Sequence, residues 1–201
     1  MTPVAVRDLV SFVFRHGDLY PSGEGRSVEA WEGTLAHSAI QKQRGTNDAR
    51  YRKEVSLKLP IALLGERRQL QGRIDGLTQN ASGQTVIEEY KTSRHPRSAL
   101  RGNDEAQAWL YAGMLATLDD SVTTLQTRVI YISPQGSVLN SFEHTLSATT
   151  ARTFLAFVLT CFDTYLQRLN QRSKRRLAWA ETLQFPHAAF RKNQRAMAGQ
   201  V

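Results

Sequence analysis

The chain has 201 residues, 41% hydrophobic and 22% charged, with 26 Lys plus Arg against 18 Asp plus Glu, five His and one Cys. That length builds one domain, or one domain plus a fragment, with a core that needs no disulfide or structural metal. One cysteine excludes an internal disulfide, a four-cysteine zinc site and a cysteine-ligated iron–sulfur cluster, and a net charge of +8 points either to an acidic partner such as nucleic acid or to a basic but inert surface.

In chain order, "VAVRDLVSFVFRHGDLY" sets Val6, Leu9, Val10, Val13 and Phe14 on one helical stripe, and "PSGEG" ends it. A second helix is expected over about 27–44, starting near Ser27 and ending at "RGTND". "YRKEVSLKLPIALLG" alternates from Glu54 to Leu59 and reads as a strand; so do "RRQLQGRIDGL" and "TVIEEYKTS", with "NASG" as a hairpin turn between the last two. "NDEAQAWLYAGMLATL" is a helix that Asn103 or Asp104 is able to cap. Two more strands flank "PQG", and a long helix follows from Ser147, which "SKRRLAWAET" extends. Cys161 lies in its apolar run "FLAFVLTCF" and reads as a buried structural thiol rather than a nucleophile. No run is long enough to span a membrane and the N-terminus does not read as a secretory signal, so a cytoplasmic protein without a membrane partner is expected. The order α α β β β α β β α implies a mixed sheet flanked by helices.

The third strand carries an anomaly. Alternation turns Ile87, Glu89 and Lys91 to one face and Val86, Glu88 and Tyr90 to the other, and the neighbouring strand delivers Asp75 close by. Two carboxylates at about 4 Å repel by about 4 kcal/mol at an effective dielectric of 20. A lysine relieves part of this; a divalent cation relieves it and prefers such oxygen ligands. The alternatives are a Mg²⁺ or Mn²⁺ site with a lysine beside it and a buried Asp–Lys–Glu ion cluster, which desolvation makes a poor stabiliser. Gln107 and Tyr111, four apart in an otherwise apolar helix, share a face, and His37 lies one turn after Gly33.

The series His37, Glu54, Gly72-x-x-Asp75, Glu89-Tyr90-Lys91, Gln107-x-x-x-Tyr111 resembles the PD-(D/E)XK nuclease superfamily, and most of all its RecB-like branch. "GRIDGL" is similar to that branch's G-x-h-D strand, "VIEEYKTS" to its h-h-D-x-K-T strand with Glu89 in place of the commoner Asp, and "QAWLYAGML" to its Q-h-x-x-Y helix. The resemblance covers about residues 30–145 and implies an α/β, restriction-endonuclease-like core with a central mixed β-sheet. It implies that Asp75, Glu89, the Tyr90 carbonyl and His37 hold Mg²⁺ or Mn²⁺. Lys91 would orient or activate the attacking water and stabilise charge on the phosphate, while Gln107 and Tyr111 would position the scissile strand, with Arg94 and Arg97 as further DNA contacts. Glu54 would be a supporting group or a plain strand residue. Some relatives of that branch carry an iron–sulfur cluster; this chain is expected to have none. Glu88 is a competing acid that strand register disfavours and a one-residue bulge would favour.

The last stretch, "FPHAAFRKNQRAMAGQV", resembles the entry segment of XPD/DinG-type helicases through Phe185, Pro186, Arg191, Gln194 and Arg195. No phosphate-binding glycine loop follows, so ATP hydrolysis by this chain is not expected. The implied layout is a RecB-like nuclease domain over 1–180, then 181–201 as a linker and the beginning of a helicase module. The basic run 171–176 faces DNA, links the two, or is a solvated helix end. The expected activity is a metal-dependent deoxyribonuclease, an exonuclease on single-stranded DNA ends that works with a helicase in repair or processing. The alternatives are a catalytically inactive module of the same fold that grips DNA, or a docking module whose basic surface is incidental.

Overall fold

A computed structural model describes residues 3–14 and 29–182 of the chain. The chain divides into two units, Met1–Thr164 and Tyr165–Val201, and the sheet and the candidate site belong to the first. The elements are β1 (Pro3–Ala5), α1 (Val6–Val13), α2 (Ala30–Asn47), β2 (Arg52–Leu63), β3 (Glu66–Gln79), β4 (Thr85–Thr92), α3 (Gly102–Leu118), β5 (Thr124–Ile132), β6 (Val138–Ser147) and α4 (Ala148–Thr182). This is the expected mixed α/β order with one addition, the three-residue β1. The helicase-like segment and Ser27 lie outside the described residues.

Local chemistry explains most boundaries. The turn after β3 is organised by Asn80, whose side-chain oxygen accepts the amides of Ser82 and Gln84 at 3.1 and 3.0 Å. α2 is opened by a capping box in which Glu29 and Glu32 satisfy each other's backbone amides. α3 starts after Arg101 with no side-chain cap, so neither Asn103 nor Asp104 caps it; both lie inside its first turn, where Asp104 complements the positive end of the helix dipole. The Ser147 hydroxyl accepts the Thr150 amide at 3.0 Å and opens α4.

The sheet has six strands in the order β1-β3-β4-β5-β6, with β2 also paired to β3. β2 runs antiparallel along nearly the whole of β3, from Arg52 opposite Leu77 to Leu63 opposite Glu66. The other edge of β3 is therefore shared. β1 takes it in parallel at residues 69–71, and β4 takes it antiparallel at residues 76–79. β4 then runs on, parallel to β5 through Thr92, after its pairing with β3 has ended at Glu88. The two strands part at Asp75 and Glu89, and this fork is where the site forms.

The core fixes both sides of the fork. One cluster joins Val6, Leu9 and Val10 of α1 and Leu110 and Met114 of α3 to Leu70, Ile74 and Ile87 of the sheet. A second packs Ala36 and Ile40 of α2 against Tyr90, Ile130 and Ile132. Each fully buried leucine or isoleucine contributes roughly 2 kcal/mol, so α2 and α3 are held firmly over β4. In the second unit the described residues, 165–182, continue α4 and carry the basic run.

Candidate active site

Glu88, Glu89, Tyr90 and Lys91 alternate as the pleat requires, and the two faces they meet differ sharply. Glu88 is wholly buried, bound by Arg44 of α2 and by Arg128 at 2.9 Å, and it accepts the Tyr90 hydroxyl at 2.7 Å. No bulge interrupts β4, so the competing acid faces away from the fork and into a fully partnered network.

Glu89 faces the fork and is 2% exposed. One carboxylate oxygen lies 3.0 Å from the Lys91 ammonium, while the other, Oε2, is buried without a hydrogen-bond partner. Burial pushes the Glu89 carboxyl up to about 8, against the pull of Lys91. Asp75 closes the gap between the strands, its Oδ2 accepting the Tyr90 amide at 2.8 Å where β3 no longer supplies a backbone partner. Burial raises Asp75 as well, and His37 and the Tyr90 amide offset only part of the rise. In both acids the nearby positive charge only partly offsets burial.

α2 brings His37 into the fork, with Nδ1 3.8 Å from Asp75 Oδ2 and its ring edge-on to Tyr90 at 5.8 Å. α3 brings Gln107, whose side-chain oxygen accepts from Lys91 at 3.0 Å and whose amide nitrogen lies 3.4 Å from the Tyr111 hydroxyl. Burial lowers the Lys91 ammonium, but Glu89 and Asp104 outweigh it and the net shift is upward. Lys91 is thus held as a cation: it can donate a hydrogen bond or neutralise an oxyanion, and it is a poor proton acceptor.

Two glycines let the aromatic supports approach. A Cβ at Gly72 would lie 2.5 Å from the Tyr111 ring, and one at Gly76 would lie 2.6 Å from the Tyr51 ring. Tyr111 is 3% exposed, with its hydroxyl beside the Gln107 amide and its ring against Gly72 of β3. Tyr51 was not singled out by sequence; its hydroxyl meets the Tyr90 hydroxyl at 3.0 Å and donates to the Asp75 carbonyl at 3.4 Å.

The expected DNA contacts Arg94 and Arg97 are not brought into the cleft. Arg94 pairs with Glu32 at 3.1 Å, and Arg97 is tied by its backbone to Asn140 at 3.0 Å. The cleft is instead lined by Arg7, His37, Gln41, Glu54, Arg73, Asp75, Glu89, Tyr90, Lys91 and Gln107, among others, and holds about 610 Å³.

Glu54 is the strained residue of the site. Its φ is 55°, a left-handed conformation that costs a non-glycine residue about 1–3 kcal/mol. The β2–β3 register continues unshifted from Lys53–Gly76 to Val55–Ile74, and the Glu54–Asp75 pair between them is not formed. Glu54 accepts from Gln41 at 2.8 Å and contacts Arg73; Gln41 also donates to the Asp75 carbonyl at 3.0 Å.

Among the described residues no three His, Cys, Asp or Glu side chains are already gathered as a finished metal cage. The donors nevertheless suit a hard divalent cation: one buried and one half-buried carboxylate whose ionised forms are destabilised, the buried one with an unpartnered oxygen, and an imidazole beside the other.

Comparison with known proteins bears on what such a fork does. The family model described as the PD-(D/E)XK nuclease superfamily matches residues 15–195. Among solved structures, the crystal structure of SSO0001 shares the fold at 19% sequence identity, covering 83% of this chain and 77% of that one with a TM-score of 0.53. No curated protein matches significantly.

Proposed function

The chain belongs to the PD-(D/E)XK nuclease superfamily, and from that premise we propose that it is an active, metal-dependent deoxyribonuclease, an exonuclease on single-stranded DNA ends. The observation that carries the reading is the pair of acids at the β3–β4 fork, Asp75 half-buried and Glu89 buried, with an unpartnered carboxylate oxygen on Glu89 next to a charged lysine. A purely structural ion cluster would leave no such orphan, since an unsatisfied buried oxygen costs stability.

Asp75, Glu89, the Tyr90 carbonyl and His37 are the groups that would hold Mg²⁺ or Mn²⁺, which supplies a Lewis acid for the phosphate oxygen and lowers the pKa of a water. Lys91 donates toward the developing phosphate charge and orients the attacking water. Gln107 fixes Lys91 by its side-chain oxygen, and Tyr111 fixes Gln107. His37 stays close to Asp75 because α2 is anchored on the far side of the sheet through Arg44 and Glu88. Single-strand preference, exonuclease action and partnership with a helicase rest on the RecB-like order of motifs and on the segment containing Phe185, Pro186, Arg191, Gln194 and Arg195.

Incubation of end-labelled single- and double-stranded DNA with Mg²⁺ or Mn²⁺, beside Lys91→Ala, tests the reading. Cleavage that disappears in the variant supports it, and the position of the label in the products separates exonuclease from endonuclease. Salt-sensitive DNA binding with no cleavage by either protein would leave the inactive gripping module in its place.

A further inference from the structure

The cleft holds a cation that the chemistry above does not use. Arg73 lies two residues before Asp75 on β3, so the pleat turns both side chains to the same side, and Arg73 lines the same cleft with its side chain 67% exposed. Its guanidinium is held by one edge: Nε contacts Glu54 Oε2. The two Nη groups at the other end have no hydrogen-bond partner among the described residues, and their paired N–H donors form the fork that fits phosphate oxygens.

The tether is unusual because of how it is made. Glu54 reaches Arg73 and Gln41 from a left-handed residue inside a strand, at a position where the β2–β3 pairing lapses without a shift of register. An ion pair whose arginine is exposed and whose glutamate is half-buried returns less than that backbone conformation costs. Stability of the free protein therefore does not account for the arrangement, whereas placement of the guanidinium beside the two acids does. Arg7, in the first turn of α1, lines the same cleft and supplies a second cation.

We propose that Arg73, tethered by Glu54, grips a backbone phosphate of the bound strand beside the phosphodiester that is cleaved, with Arg7 as a second contact. The proposal deepens the nuclease reading and rests on it. Arg73 acts on the substrate, and Glu54 is a positioning residue that acts through it.

The test measures binding of a fluorescently labelled single-stranded oligodeoxynucleotide over a salt series with Mg²⁺, in a Lys91→Ala background so that substrate is not consumed. Adding Arg73→Ala is expected to weaken binding roughly tenfold and to lower the log–log salt slope by about 0.7, the contribution of one phosphate on a single strand. Arg73→Lys should recover the slope but not the full affinity, because an ammonium lacks the planar fork. In the otherwise native chain, Glu54→Gly should raise Tm by about 2–4 °C by removing the strained conformation, and should raise KM more than it lowers kcat.

Unchanged affinity and slope in the Arg73→Ala protein, with cleavage by the native chain intact, overturns this proposal and leaves the nuclease reading standing. Absence of both binding and cleavage in the native chain overturns the two together. A lower Tm for Glu54→Gly removes Glu54 from the proposal, because residue 54 would then be stabilising in itself.

Discussion

Glu88 and Glu89 are adjacent residues with the same side chain, both buried in one strand, and they live in opposite chemical worlds. On one face Glu88 is matched by two guanidinium groups and a tyrosine hydroxyl. On the other, Glu89 has one ammonium shared with Asp104 and Gln107, and a bare oxygen. The first arrangement is complete within the protein: it ties α2 to β4 and β5. The second is incomplete, and the incompleteness is what a divalent cation would fill. Burial alone therefore does not separate a structural acid from a functional one; the satisfaction of its oxygens does.

Exchanging the acids one at a time should break the comparison in opposite ways. The largest effect is expected from Glu89→Gln, which should reduce cleavage by about a hundredfold or more, the scale of losing a charge-stabilising group at a reacting centre. It should also leave the metal-free protein about as stable as before, since burial already disfavours the ionised form of Glu89. Calorimetric titration with Mn²⁺ on this variant and on Asp75→Ala should show affinity lost with the fold retained; unchanged affinity would remove these residues from the metal site.

Glu88→Gln should do the reverse, costing about 2–3 kcal/mol of unfolding free energy by leaving Arg44 without its counter-charge and Arg128 with Glu143 alone, a value reduced because both arginines are partly solvated. Denaturant melts measure it, and a loss comparable to that of Glu89→Gln would erase the distinction between the two faces.

A titration sharpens the same contrast. The Glu89 carboxyl is raised from 4.5 in the unfolded chain to about 8 in the folded one. Its contribution to stability is therefore complete below about pH 4.5 and is lost as pH rises through about 8, because the unfolded chain ionises first. Tm in EDTA should fall across that window, and Mg²⁺ or Mn²⁺ should restore it most at the alkaline end. A Tm in EDTA that rises over the same range would show that the pairing with Lys91 outweighs burial. The smallest effect is expected from Tyr51→Phe, about 1 kcal/mol for the hydroxyl that links Tyr90 to the Asp75 carbonyl, read from the same melts.

Much of this site is legible in the sequence because its signals are local. Strand alternation alone assigns Glu89 and Lys91 to one face and Glu88 to the other, and four-residue spacing in α3 joins Gln107 to Tyr111. The partners that decide the meaning of each acid are distant in the chain. Arg44 and Arg128 lie on either side of Glu88 by 44 and 40 positions, and nothing near them announces the contact. The glycines of "GRIDGL" read as part of a motif; that each makes room for a tyrosine ring is visible only in three dimensions. Glu54 stands in the motif series, but nothing in the sequence announces its left-handed backbone, which is chosen by its neighbours and not by its own propensity. β1 is missed for a similar reason: three residues are too few for a periodic pattern, and their pairing partner is far along the chain.

That short strand has a kinetic consequence. Pro3, Val4 and Ala5 pair with residues 69–71, so the contact closes a loop of more than sixty residues. Loop closure of that span is slow relative to the β2–β3 hairpin, whose strands are joined by a tight turn. In a chain made from its N-terminus, β1 and the apolar stripe of α1 emerge long before the edge they cover exists. The N-terminal segment must wait unpaired until β3 exists, so Arg7 should reach the cleft after the β2–β3 hairpin that carries Asp75 has formed.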